Sequence, residues 1–247
     1  MIIDMHVKIG PSFDKRGKSV EDYLEKMKKT GIDKAVLCPN RPDNYSFKDG
    51  NAYVAEALQA NPERFYGAVR IDPWNWDESK EEADKYLNVE QYAFLYLNPW
   101  DDTFRVNDPV AEPIYQYATK KQIPIIIETG YPYVSHISQI GTMAEKYPKT
   151  IFVTTNAGQI DLSGFTLADV GYMLNMYKNI YVGTAAAVGA EWLANQIQNT
   201  SCGRVLFETG YPFFDPYMEK YRIEKAYIKD FEKEDVFCNN FLKLVDK

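Results

Sequence analysis

Asp4, His6 and Lys8 alternate along the N-terminal stretch "MIIDMHVKIG". In an extended strand, residues two apart face the same side. The spacing therefore predicts an acid, an imidazole and an ammonium on one surface. Two glutamates, Glu128 and Glu208, close short apolar runs in "IPIIIETGYPYV" and "RVLFETGYPFFD", which share the pentapeptide Glu-Thr-Gly-Tyr-Pro. A lysine among carboxylates can polarise a carbonyl or hold a substrate carboxylate as a point charge. A glutamate tuned by burial and by that ammonium can act as general base toward water. A Schiff base at Lys8 would need a depressed pKa, which a nearby Glu128 opposes. Lys8, Glu128 and Glu208 are thus the candidate catalytic residues. Asn98, Asn156 and Thr184 end other apolar runs and are candidate substrate contacts. His136 follows Pro132 in a loop and reads as a surface or lid residue.

The elements that must position these groups are legible as a repeat. Eight short apolar runs occur at 1–7, 34–39, 65–72, 92–99, 124–130, 150–158, 179–186 and 204–210. They are continuous and rich in Ile and Val, as strands buried on both faces are. Amphipathic stretches separate them. "SVEDYLEKMKKTG" opens on a Ser cap and stops at Gly after basic residues. Strand and helix alternating eight times predict an α/β (β/α)8 TIM barrel, as one domain over residues 1–247. A doubly wound open sheet is the competitor, and the count and even spacing favour the barrel. The two Glu-Thr-Gly-Tyr-Pro copies then fall on strands five and eight. They are three βα units apart, so they do not mark a half-barrel duplication, which needs four.

Bulk properties narrow the class. A chain of 247 residues with 45% hydrophobic residues can build a large core. A net charge of −7 without a basic stripe argues against nucleic-acid partners. Three cysteines, Cys38, Cys202 and Cys238, are too scattered for a disulfide framework or a zinc site, which points to a reducing cytoplasm. No basic n-region with an apolar h-region opens the chain. No apolar run approaches the roughly 20 residues of a membrane helix. Trp74, Trp76 and Trp100 follow strands three and four; they read as pocket walls, as cover for the barrel top, or as a homo-oligomer contact.

Several segments resemble the amidohydrolase-related metal-dependent TIM barrels, near the aminocarboxymuconate semialdehyde decarboxylases. "IIDMHVKIG" is similar to the family's opening iDxHxH. "NAYVAEALQANPERFYGAVRIDP" resembles its block around nPdRf. "RVLFETGYPF" is similar to RilfGSDyPf, and "NNFLKLV" to the closing eNaarLl. The resemblance runs nearly end to end and implies a metal held by two strand-one histidines, a strand-five histidine and a strand-eight aspartate, often with a strand-six histidine. Here those positions carry His6, Lys8, Glu128, Gly210 and Asn156, so one of the five is unchanged.

Three readings follow. The first is a hydrolase or lyase acting on a small acid, lactone or amide without a metal centre. The second is a metal-dependent hydrolase or decarboxylase in which His6 and Glu128 ligate one divalent ion (Zn, Mn or Mg), with Glu208 as a third donor. A fixed ammonium at Lys8 disfavours it. The third is a non-catalytic barrel whose old site is plugged by an ion-paired network. Glycoside hydrolysis by the two glutamates is a generic option for barrels, and the resemblance gives it no support.

Overall fold

The computed structural model describes residues 1–158, 166–187, 189–200 and 202–245. Eight parallel strands follow one another in sheet order: β1 (Ile3–Ile9), β2 (Lys34–Pro39), β3 (Phe65–Arg70), β4 (Tyr92–Leu97), β5 (Ile125–Ile127), β6 (Phe152–Thr154), β7 (Ile180–Gly183) and β8 (Val205–Leu206). The last strand returns to the first. Met5 N donates to Phe207 O at 2.9 Å, and Lys8 N donates to Tyr211 O at 2.9 Å. Helices α1 (Val20–Thr30), α2 (Phe47–Ala60), α3 (Trp76–Tyr86), α4 (Glu112–Lys121), α5 (Ile137–Lys146), α6 (Thr166–Met176) and α7 (Ala190–Thr200) connect successive strands, and α8 (Pro216–Glu224) follows β8. The chain is a TIM barrel.

Local signals explain the element ends. In α1, Ser19 and Asp22 form a capping box, and Gly31 ends the helix in the left-handed conformation. His136 caps α5 by accepting from Ser138 N, so it serves the helix start.

Two apolar layers hold the barrel. The outer layer packs strand residues such as Val7, Val69, Leu95 and Ile127 against the helices, including Tyr23 and Met27 of α1. The inner layer holds Ile3, Met5, Val36, Ala68, Phe94, Ile126, Val153 and Leu206. Phe241 and Leu244, on α9 (Asn240–Val245), close its lower end.

One expectation fails here. Asp4 does not share a face with His6 and Lys8. The β1–β2 register shifts between Asp4 and Val7, an irregularity of the kind a bulge introduces to re-aim side chains. Met5 therefore stays in the inner layer while Val7 and Ile9 join the outer one. Asp4 points toward α1, where it accepts from Tyr23 Oη at 2.6 Å and from Thr209 N at 2.9 Å. It ties β1 to the segment after β8.

Candidate active site

Above the inner apolar layer, the strand ends carry polar groups in place of Ile and Val. His6 sits at their centre. Its Nδ1 lies 2.9 Å from Glu208 Oε1 and its Nε2 lies 3.2 Å from Glu128 Oε2. The two glutamates thus flank one imidazole from opposite sides of the barrel. Lys8 Nζ lies 3.6 Å from the other Glu128 oxygen. His6, Glu128 and Glu208 are at most 1% exposed, and Lys8 is 5% exposed.

The carboxylates are further fixed by neighbouring strands. Tyr96 Oη donates to Glu128 Oε2 at 2.9 Å, and Asn156 Nδ2 donates to Glu128 Oε1 at 3.1 Å. Asn156 also donates its backbone N–H to Glu208 Oε2 at 2.8 Å. It does so from a left-handed turn, with φ of 56° at Asn156 and 50° at Ala157. Such conformations are costly in non-glycine residues and cluster at functional sites. Thr184 Oγ1 accepts from Glu208 N at 3.0 Å. Gly183 leaves room for the Glu208 carboxylate: a Cβ there would lie 2.1 Å from Oε2.

Charge settles how the cluster is protonated. Burial alone would lower the His6 pKa, but the two carboxylates outweigh it and raise the value to about 9. His6 is therefore an imidazolium at neutral pH. Burial raises Glu128, yet the charges of Lys8 and His6 and the Tyr96 hydrogen bond win and hold it well below the usual carboxylate range. Burial prevails at Glu208 and raises it, despite hydrogen bonds from His6 and Asn156.

A second buried network adjoins the first. Arg70 of β3 is fully buried. It donates to Asp102 at 2.7 Å, to Asp101 at 3.3 Å and to Pro39 O at 3.1 Å. Arg41 joins by pairing with Asp102 and Asp72. Asn98 Nδ2 links the networks, donating to Asp101 Oδ2 at 2.7 Å and to Tyr96 Oη at 3.3 Å. Hydrogen-bonded groups thus run without a break from Arg70 through Asp101, Asn98, Tyr96, Glu128 and Asn156 to Glu208.

A cavity of about 100 Å³ opens above this layer. Lys8 lines it, together with Asp101, Asp14, Arg16, Phe213 and a stacked Trp100–Tyr131 pair with ring centroids 4.5 Å apart. Glu128, Glu208, Asn98, Asn156 and Thr184 do not line it. The structure brings all the sequence-predicted residues into one region. Of the expected catalytic and substrate-binding residues it puts only Lys8 at the cavity surface; the two amides hold carboxylates and the threonine holds the Glu208 backbone. Trp100 walls the cavity, Trp74 donates its indole N–H to Asp102 O at 2.8 Å, and Trp76 packs on Tyr117.

Sequence reasoning missed Arg70, Tyr96 and Asp101. Arg70 had a usable signal, since it is a charge inside the apolar run "FYGAVRID" and such residues are buried only when paired. Tyr96 and Asp101 carried none beyond their places on or just after strand four.

The donor set can be tested against the ion that the fold family implies. His6 Nε2 has no aligned hydrogen bond and faces a Glu128 oxygen. Its other nitrogen, however, is taken by Glu208, and Lys8 stands as a cation beside Glu128. Among the described residues no three His, Cys, Asp or Glu side chains are grouped to hold a metal ion. Cys38 and Cys238 are free, and the side chain of Cys202 lies outside the described ones.

The family model described as amidohydrolase matches residues 3–246, and the chain belongs to that family. Solved structures share the fold at low identity. A 5-carboxyvanillate decarboxylase from Novosphingobium aromaticivorans, complexed with manganese and 4-hydroxy-3-methoxy-5-nitrobenzoic acid, is 16% identical, with a TM-score of 0.78 over 100% of this chain and 96% of that one. A 2,6-dihydroxybenzoate decarboxylase from Rhizobium is 14% identical, with a TM-score of 0.77 over 99% and 98%. A 5-carboxyvanillate decarboxylase from Sphingomonas paucimobilis is 15% identical, with a TM-score of 0.78 over 99% and 98%. No curated protein matches the sequence. Among the described residues no helix is long and apolar enough to cross a membrane.

Proposed function

We propose that this barrel is a hydrolase or lyase acting on a small acid, lactone or amide, with Lys8 supplying the positive charge that a metal supplies elsewhere in the family. One observation carries the reading. The Lys8 ammonium lines the cavity and is backed by Glu128 at 3.6 Å. A cation fixed in a dry site stabilises charge that develops on a carbonyl or carboxylate oxygen. The pairing of Lys8 with the Glu128 carboxylate opposes Schiff-base chemistry. His6 and Glu208 hold Glu128 in place.

Asp101 is one of two carboxylates that meet the cavity, and the other, Asp14, is paired with Arg16. Arg70 and Asn98 both bind Oδ2 of Asp101, which leaves Oδ1 to accept a proton from a substrate or from water. Glu128 and Glu208, the bases expected from sequence, act here by positioning Lys8 and His6. The manganese of the Novosphingobium enzyme supports a divalent ion as a family trait. The Lys8 ammonium beside Glu128 supports its replacement in this chain.

The test is turnover of a panel of lactones, amides and carboxylic acids by wild type and Lys8→Met. Removing one preorganised donor costs about 10²- to 10³-fold in kcat, and a loss of that size is expected. Activity of Lys8→Met near the wild-type rate would overturn the assignment. The near-complete burial of His6, Glu128 and Glu208 favours a second reading, a non-catalytic barrel with a plugged site. In that case no panel member is turned over and Lys8→Met unfolds at higher denaturant than wild type.

A further inference from the structure

Among the described residues, Lys8 is a buried ammonium with hydrogen-bonding capacity left for a ligand. Its side chain is 6% exposed, and its one described ion-pair partner, Glu128, is beyond hydrogen-bond reach at 3.6 Å. No acceptor among the described residues takes a hydrogen bond from its ammonium. Phe213 lies over it, with Nζ 4.3 Å from the ring centroid. The same ring carries the Arg16 guanidinium at 4.4 Å. One aromatic side chain therefore gathers two cations at the cavity wall. Arg16 is paired with Asp14 at 2.6 Å and is 63% exposed, so its remaining N–H groups can turn toward a ligand.

We propose that the cavity binds a short aliphatic monocarboxylate, with the carboxylate held between Lys8 and Arg16. This rests on the reading of Lys8 as the working cation and narrows its substrate class. Two features set the class. The first is charge: Lys8 and Arg16 are matched by Asp14 and Asp101 in the same wall. A monoanion gains from the cations, whereas a dianion meets the two carboxylates as well. The second is size. A cavity of roughly 150 Å³ accommodates benzene, and this one measures about 100 Å³. Propionate, lactate or pyruvate fits; benzoate does not. The class is smaller than the ring acid bound in the Novosphingobium structure. Phe213 and the Trp100–Tyr131 stack are the walls that exclude a ring.

The experiment is calorimetric titration of the full chain with propionate, benzoate and inorganic phosphate at matched ionic strength. Propionate is expected to bind saturably and at least about tenfold more tightly than either other probe. Arg16→Ala, on an exposed side chain, is expected to weaken propionate about fivefold, and Lys8→Met to abolish binding. Phe213→Ala is expected to admit benzoate. Benzoate binding wild type as tightly as propionate would overturn the size argument, and tighter phosphate would overturn the charge argument. Propionate affinity unchanged in both Arg16→Ala and Lys8→Met would overturn the site. Binding is read without turnover. Propionate affinity in a protein that turns over no panel compound supports this inference while removing the catalytic one, and turnover without propionate binding does the reverse.

Discussion

The protonation of His6 has a measurable consequence. Its pKa stands near 9 in the folded chain against 6.5 for an unperturbed imidazole. A group whose folded pKa is raised stabilises the fold fully below its unfolded pKa and loses that contribution as pH rises through the folded value. The His6 contribution is therefore complete below about pH 6.5 and falls away toward pH 9. At about 1.4 kcal/mol per tenfold change in proton affinity, the displacement is worth about 3 kcal/mol. Glu128 acts with the opposite sign. Its lowered pKa adds stability above 4.5 that is lost as pH falls. The two groups together favour the window from about pH 4.5 to 6.5. Urea unfolding of wild type and His6→Gln at intervals from pH 6 to 9 measures the His6 part as the difference between the two curves. NMR of the imidazole protons measures it directly, because the chain has two histidines and His6→Gln identifies one signal by its loss. A His6 titration near 6.5, or stability curves that run parallel across this range, would refute the imidazolium assignment.

Three other expectations rest on separate features. Gly183→Ala puts a methyl 2.1 Å from Glu208 Oε2 and 3.0 Å from Met5 Sδ; overpacking of this kind costs about 1–3 kcal/mol, readable as a lower urea midpoint, and a midpoint at the wild-type value would show that Glu208 moves freely. Arg70→Met leaves Asp102 buried without its main partner and should destabilise by about 3–5 kcal/mol, checked by the same assay; an increase in stability would mean that the network is held at a net cost. Protein purified without chelator should carry substoichiometric transition metal, with a melting temperature that EDTA leaves unchanged. One bound equivalent measured by elemental analysis would restore His6 and Glu128 as ligands.

The fold was legible because the strands are short apolar runs, most of them holding Ile or Val, and helices such as α1 carry their own start and stop signals, features that depend on neighbours in sequence. The site was legible as a region and less so in its roles. Strand alternation placed His6 and Lys8 on the barrel interior and misplaced Asp4, because a register irregularity in β1 is invisible to a period-two count. Asn98, Asn156 and Thr184 were expected at the substrate. Each is instead used on another protein group: Asp101 and Tyr96, the two glutamates, and the Glu208 backbone. Nothing in a strand-end amide tells whether its partner is a ligand or a side chain from the next strand. Asp101 lies in a loop whose path depends on Arg70, some thirty residues earlier.

The repeated Glu-Thr-Gly-Tyr-Pro shows how far local identity carries. Up to the glutamate the copies behave alike, for each puts its carboxylate on a different nitrogen of His6. The threonines then diverge. Thr129 N donates to Thr155 Oγ1, whereas Thr209 N donates to Asp4. The tyrosines diverge further. Tyr131 turns to the cavity and stacks on Trp100, while Tyr211 packs against Tyr23 of α1, with ring centroids 5.1 Å apart, and accepts the Lys8 N–H on its carbonyl. The shared feature is thus a glutamate at a strand end aimed at the barrel axis, and two such strands suffice to enclose one imidazole. Lys8 stands beside one of those glutamates and faces outward into the cavity, and the chemistry proposed here depends on that cation.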